Sequence, residues 1–206
     1  LCLGIVMGAL IPGGIRPNYS TYREGFIDSW LRPFPLMLGV FTVCLFTFLA
    51  AVFLIGESPA GEIRNSFIRR ARVASVITVL AGGAVFFAAQ MDGIFLIPRF
   101  LHSAVATTCM LLATLSIPLL WIGLRKQWIW IVRLLAGAQV TLILAGWLWI
   151  QFPVLVHLPD GDLTLFNAHA PERTLFQLAA ALVIGSIVIL PSLFYLFQVF
   201  KLDEED

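Results

Sequence analysis

Charge is what this sequence has least of. Only 12% of its 206 residues are Asp, Glu, Lys or Arg, against about 25% in soluble domains. The net charge is +1, so no nucleic-acid partner is implied. Histidine is also scarce. His102, His157 and His169 are the three present, and none falls at the centre of an apolar run. Cys2, Cys44 and Cys109 lie inside apolar runs at spacings that match neither a zinc site nor a CxxC pair. They read as small buried side chains. A phosphate-binding loop, an HExxH helix and a Ser-His-Asp arrangement are all missing, as is any spaced Asp/Glu pair within an apolar run. The sequence therefore offers no catalytic residue and no cofactor or metal ligand set of its own.

What it has instead is length without charge. Sixty per cent of the residues are hydrophobic, and the mean hydropathy is +0.94. The expected fold is all-α, a polytopic integral membrane protein forming a single transmembrane domain over residues 1–206. Five runs reach the ~20 residues needed to cross a ~30 Å hydrocarbon core: Pro33 to Gly56, Val73 to Gln90, Leu101 to Leu124, Trp128 to Ile150, and Pro171 to Lys201. A shorter opening run, Leu1 to Ile11, carries a Gly4-x-x-x-Gly8 pair that permits close helix approach. It reads as a truncated helix, and the chain as the rear part of a longer protein. Asn18-Tyr19-Ser20 matches a glycosylation sequon by pattern only.

The connections set an orientation. Arg64, Arg69, Arg70 and Arg72 follow the first full span, Arg125-Lys126 the third, and Lys201 the fifth. The connection from Gln151 to Glu172, with Asp160 and Asp162, contains no Lys or Arg. Basic residues favour the cytoplasm. The C-terminus and the arginine stretch are therefore expected inside and the Asp160 loop outside. Arg16, Arg23 and Arg32 in the first outer connection, with Arg99 and Arg173 at other outer ends, run against this assignment.

Few residues stand out as site candidates, and the reading makes them structural or assembly residues. Trp30 marks a water boundary, and Pro33 opens the first full span. Trp147 belongs to an aromatic belt, Pro153 breaks the chain after the fourth span, and Pro191 interrupts the fifth. Arg133 is the one formal charge well inside a span. A charge at the membrane centre costs at least about 2.5–3.5 kcal/mol, but this one starts only a few residues from Trp128. Snorkelling or a structural partner is the favoured reading, with a functional polar path as the alternative. Gln139, deeper in the same span, calls for an interhelical hydrogen bond, with a proton or substrate contact as the alternative.

The closing stretch carries a family likeness. It runs from a Gly146-Trp147 helix through Gln151-Phe152-Pro153 and Leu163-Thr164 to Ala168-His169-Ala170-Pro171 and Thr174-Leu175. It exits on Pro191-Ser192-Leu193-Phe194-Tyr195-Leu196-Phe197-Gln198-Val199-Phe200-Lys201. Upstream in the same order come Leu3 to Gly8, Trp30 to Gly39, Leu49 to Leu54, Phe67 to Ala71 and Arg133 to Gln139. The set resembles subunit II of the cytochrome bd quinol oxidases. That resemblance implies a haem-free membrane subunit supporting a haem-bearing subunit I. Subunit I would hold haem b and haem d, oxidise quinol and reduce oxygen to water, in the bacterial inner (cytoplasmic) membrane. The family's membrane-embedded acidic residues lie mainly in helices ahead of this sequence, so they are not carried over. A transporter or channel subunit unrelated to respiration is the alternative. Against it, paired Gly/Pro-broken helices around polar midplane residues are missing from the sequence.

Overall fold

A computed structural model describes residues 1–11, 21, 23, 27–28, 30–59, 61–156, 163–167 and 171–202. Helices dominate. In chain order they are α1 (Cys2–Leu10), α2 (Pro33–Glu57), α3 (Glu62–Met91), α4 (Leu96–His102), α5 (Ala104–Lys126) and α6 (Ile129–Gln151). A two-stranded ribbon, β1 (Val154–Val156) and β2 (Leu163–Thr164), precedes α7 (Glu172–Leu202). Among the described residues, α2, α3, α5, α6 and α7 are long and apolar enough to cross a membrane. The chain is an all-α polytopic membrane protein. Two compact units divide it, Leu1–Leu165 and Phe166–Asp206. The second contains α7, which continues through Pro191.

The first unit is built on close approach between small residues. A Cβ on Gly4 of α1 would lie 2.5 Å from Thr42 Oγ1 and 2.8 Å from the Cα of Gly39 in α2. One on Gly8 would lie 2.6 Å from the Cα of Pro35. The expected role of the Gly4/Gly8 pair is thus met within the chain, against α2. Alanine recurs at buried positions elsewhere: Ala71, Ala88, Ala89, Ala106 and Ala136 are all under 4% exposed. Many large apolar side chains point outward, with Phe46, Leu80, Phe87 and Leu134 all exposed. This distribution suits lipid as solvent. Tails are as apolar as leucine, so helices gain by approaching over small residues rather than by hiding large ones.

Two packed clusters mark the two ends. One joins Val52, Ile55, Ile68, Leu120, Leu124 and Val132 with their neighbours. The other joins Ile11, Phe34, Val85, Ala89, Ile94 and Leu96, with Trp147 packed against it. At this second end α2 starts Pro33-Phe34-Pro35, two residues of which have no N–H. The Phe34 N–H is therefore an open donor of the first turn, and it donates to Asp92 Oδ2 at 2.9 Å. The carboxylate reaches across from the residue that ends α3, and its charge suits the positive end of α2.

The structure departs from the expected spans in three places. The arginine stretch is not a loop: α3 begins at Glu62, so Arg64 to Arg72 form its first turns. Leu101 to Leu124 is not one helix, because Ser103 ends α4 and caps α5, accepting from the Ala106 N–H. The connection after α6 contains the β1–β2 ribbon, joined also by the Leu165 N–H to the Pro153 carbonyl at 2.9 Å. Pro159 to Asp162 and the Asn18-Tyr19-Ser20 sequon fall outside the described residues.

Candidate functional site

The densest polar arrangement in the bundle lies where α2 ends and α6 begins. The last carbonyls of a helix lack intrahelical partners and carry the negative end of its dipole. Arg133, one turn into α6, meets that end of α2. Its Nη2 donates to the Phe53 carbonyl and to Glu57 Oε1, each at 2.7 Å. Its Cζ stands 5.6 Å from the centre of the Phe53 ring. A Cβ on Gly56 would fall 2.8 Å from Nε, and closer still to Cζ and Nη2. Glycine is what lets the guanidinium lie flat on α2. The same contact seals Nε, which is buried and makes no hydrogen bond. The Arg133 side chain is 19% exposed and that of Glu57 68%, so water screens the ion pair from the glutamate side. Ser58 and Arg64 finish the cap. Ser58 Oγ donates to the Leu54 carbonyl at 2.6 Å, and Arg64 Nη2 donates to the Ser58 carbonyl at 2.8 Å.

Gln139 occupies a different face. α5 and α6 are antiparallel, and two glycine contacts fix their register. A Cβ on Gly123 would sit 2.8 Å from Val132 Cγ2, and one on Gly146 would sit 3.2 Å from Cys109 Cβ. Seven residues inward from either pair, Ser116 stands opposite Gln139. Both are buried, at 7% and 8% exposure. Ser116 Oγ donates to the Ala113 carbonyl at 2.6 Å, leaving its lone pairs as acceptors. Among the described residues the Gln139 amide has no side-chain hydrogen bond. Among the described residues the expected interhelical bond is therefore not seen, although Gln139 is buried.

Other polar side chains in the spans are used locally. Thr42, Thr47, Thr78, Thr108, Thr114, Thr141 and Ser192 donate to carbonyls one turn back. Ser75 accepts from Trp121 Nε1 at 3.1 Å, joining α3 to α5. The remaining sequence candidates lie on separate elements. Trp30 is exposed ahead of α2, and Pro33 is its first residue. Trp147 packs on the cluster containing Phe34. Pro153 is exposed just past α6, and Pro191 lies within α7. Sequence reasoning missed Glu57, Gly56 and Asp92 as partners. Their signal lay only in the alternation of helix ends, which brings the close of α2 to the start of α6 and the close of α3 to the start of α2.

A haem would need an axial side chain inside the bundle. His102 is exposed at the end of α4, and His157 and His169 lie outside the described residues. No group of three or more His, Cys, Asp or Glu side chains suited to a metal occurs among the described residues. Among the described residues no side chain is placed inside the bundle to ligate a haem.

Fold and site together define a polytopic helical membrane protein whose polar groups tie its helices to one another. Its sequence matches the profile of the cytochrome bd terminal oxidase subunit II family over residues 1–200. The chain belongs to that family, and it is a subunit of a terminal oxidase. No protein of curated function matches it significantly.

Proposed function

We propose that this chain is the haem-free subunit II of a quinol-oxidising terminal oxidase. In this reading it forms the membrane scaffold on which a haem-bearing subunit I oxidises quinol and reduces oxygen. Membership of the family carries the reading. Two features of the chain support it. The described histidine lies at a helix end rather than in a span, and the charged group deepest in a span is spent on holding α2 to α6. A solute pathway, the competing reading, would want polar side chains left free along the bundle. The hydroxyls described here are bound mostly to their own helices instead. Quinol and oxygen are the substrates of the complex in this account. The complex sits in the bacterial cytoplasmic membrane, with Lys201 and the Arg64-bearing end on the cytoplasmic side. In this reading residues 1–206 form a single transmembrane domain.

The test is purification from native membranes through a tag on this chain. The expected result is a partner carrying a haem absorption spectrum, with the haem remaining on the partner when the subunits are separated. Purification without a haem-bearing partner would overturn the reading, and so would haem that stays with this chain.

A further inference from the structure

We propose that the Arg64-bearing end of the bundle holds the headgroup of an anionic phospholipid, gripped between the first turns of α3 and the α5–α6 turn. This end is strongly basic. Along residues 57–72 and 125–133 stand Arg64, Arg69, Arg70, Arg72, Arg125, Lys126 and Arg133, against Glu57 and Glu62. Arg64 and Arg133 are committed to the end of α2. The other five make no ion pair among the described residues.

The two segments meet in the fold. Ile68 of α3 lines the same small void as Gln127 and Ile129, and Phe67 and Ile129 pack on the same core cluster. Two of the free cations are held over rings, Arg70 at 5.5 Å from the Phe67 centroid and Lys126 at 4.7 Å from Trp128. These contacts keep the charges against the protein surface while leaving their outer N–H groups open. The turn between α5 and α6 is fixed by Gln127, a non-glycine residue at φ 55°. Its cap bonds run to the Gly123 carbonyl.

Depth selects the ligand. The cations lie just past the apolar stretches that begin at Val73 and end at Leu124, which is headgroup level. The exposed indoles of Trp128 and Trp130 flank them, and indoles settle at that level. An arginine fork and a lysine point charge together suit a phosphodiester. Acyl chains would then lie along the outward apolar faces of α3 and α6, on Val76, Leu80 and Leu134.

The experiment uses the detergent-solubilised, assembled complex, titrated with phosphatidylglycerol, with phosphatidylcholine of the same chains, and with glycerol 3-phosphate. Thermal unfolding midpoint and lipids bound in native mass spectrometry are the readouts. Phosphatidylglycerol should raise the midpoint and remain bound, and the other two should not. In R69Q/R70Q/R125Q/K126Q its apparent affinity should fall at least about tenfold. R69K/R70K/R125K, which keeps the charges, should retain most of it, and Arg99→Gln at the far end should retain all of it. Undiminished binding in the quadruple Gln variant would overturn the proposal, as would equal binding of phosphatidylcholine. An equal effect of glycerol 3-phosphate would mark a free-anion site, and loss of the effect in Arg99→Gln would move the site to the other end; either overturns it.

Discussion

Gly56→Ala should change sign with the residue at position 133. Alanine normally stabilises a helix over glycine by about 0.5–1 kcal/mol. Here its Cβ would displace the Arg133 guanidinium from its seat on α2. What is lost is the bond to the Phe53 carbonyl, in the range of about 1.5–3 kcal/mol for a charged donor. The pairing with Glu57 goes too, discounted to about 0–1 kcal/mol because that carboxylate is mostly in water. Relief of the sealed Nε returns part of this, since an unmade buried hydrogen bond costs about 1–3 kcal/mol. A net clamp of about 1–2 kcal/mol follows. In the natural chain Gly56→Ala should therefore destabilise by roughly 0–1.5 kcal/mol, the clamp lost minus the helix gain. In an Arg133→Ala background the clamp is already gone, and the same change should stabilise by about 0.5–1 kcal/mol. Unfolding of the four proteins of this double-mutant cycle in graded SDS, followed by circular dichroism, measures the coupling. Equal effects of Gly56→Ala in both backgrounds would refute the argument that the glycine exists to seat the arginine.

Two further outcomes follow from the helix ends. Asp92→Ala removes the acceptor for the Phe34 N–H and should cost about 0.5–2 kcal/mol in the same SDS assay, whereas Asp92→Asn keeps an acceptor and should cost less; equal losses would show that the carboxylate charge, not the bond, matters. A cysteine placed at Asp160 should be labelled by a membrane-impermeant thiol reagent from outside the cell, and a reporter after Lys201 should be cytoplasmic; labelling of the Asp160 site only from the cytoplasm would reverse the assigned orientation.

The spans were legible because lipid leaves a plain signature, an apolar run of sufficient length. What that signature misses is helix continuing into water. Hydropathy sees α3 only from Val73, yet the backbone has no reason to stop there, and Arg64 to Arg72 contain neither Gly nor Pro. The break at Ser103 was equally hidden, since one serine acting as an N-cap hardly alters an apolar window. At the site, the sequence located Arg133 near a water boundary and left it either to snorkel or to take a structural partner. It could not say that the partner was the end of α2, because Glu57 lies 76 positions away in the chain. The same holds for Asp92 and Phe34, 58 apart. Gln139 was legible as a buried amide, but its register against Ser116 depends on where Gly123 and Gly146 let α5 and α6 touch.

The central claim is that polar residues in these spans build the subunit rather than carry out its chemistry. Terminal oxidase turnover per assembled complex, measured for Arg133→Leu and Gln139→Leu, tests it most directly. Gln139→Leu removes an amide that has no side-chain bond among the described residues, and membrane hydrogen bonds average only about 0.6 kcal/mol, so yield and turnover should both be largely kept. Arg133→Leu uncaps α2 and leaves Glu57 without its guanidinium, so the yield of complex should fall while turnover per complex stays near that of the natural protein. Normal yield with turnover lost in either variant would contradict the account and place that residue in the chemistry or its proton supply.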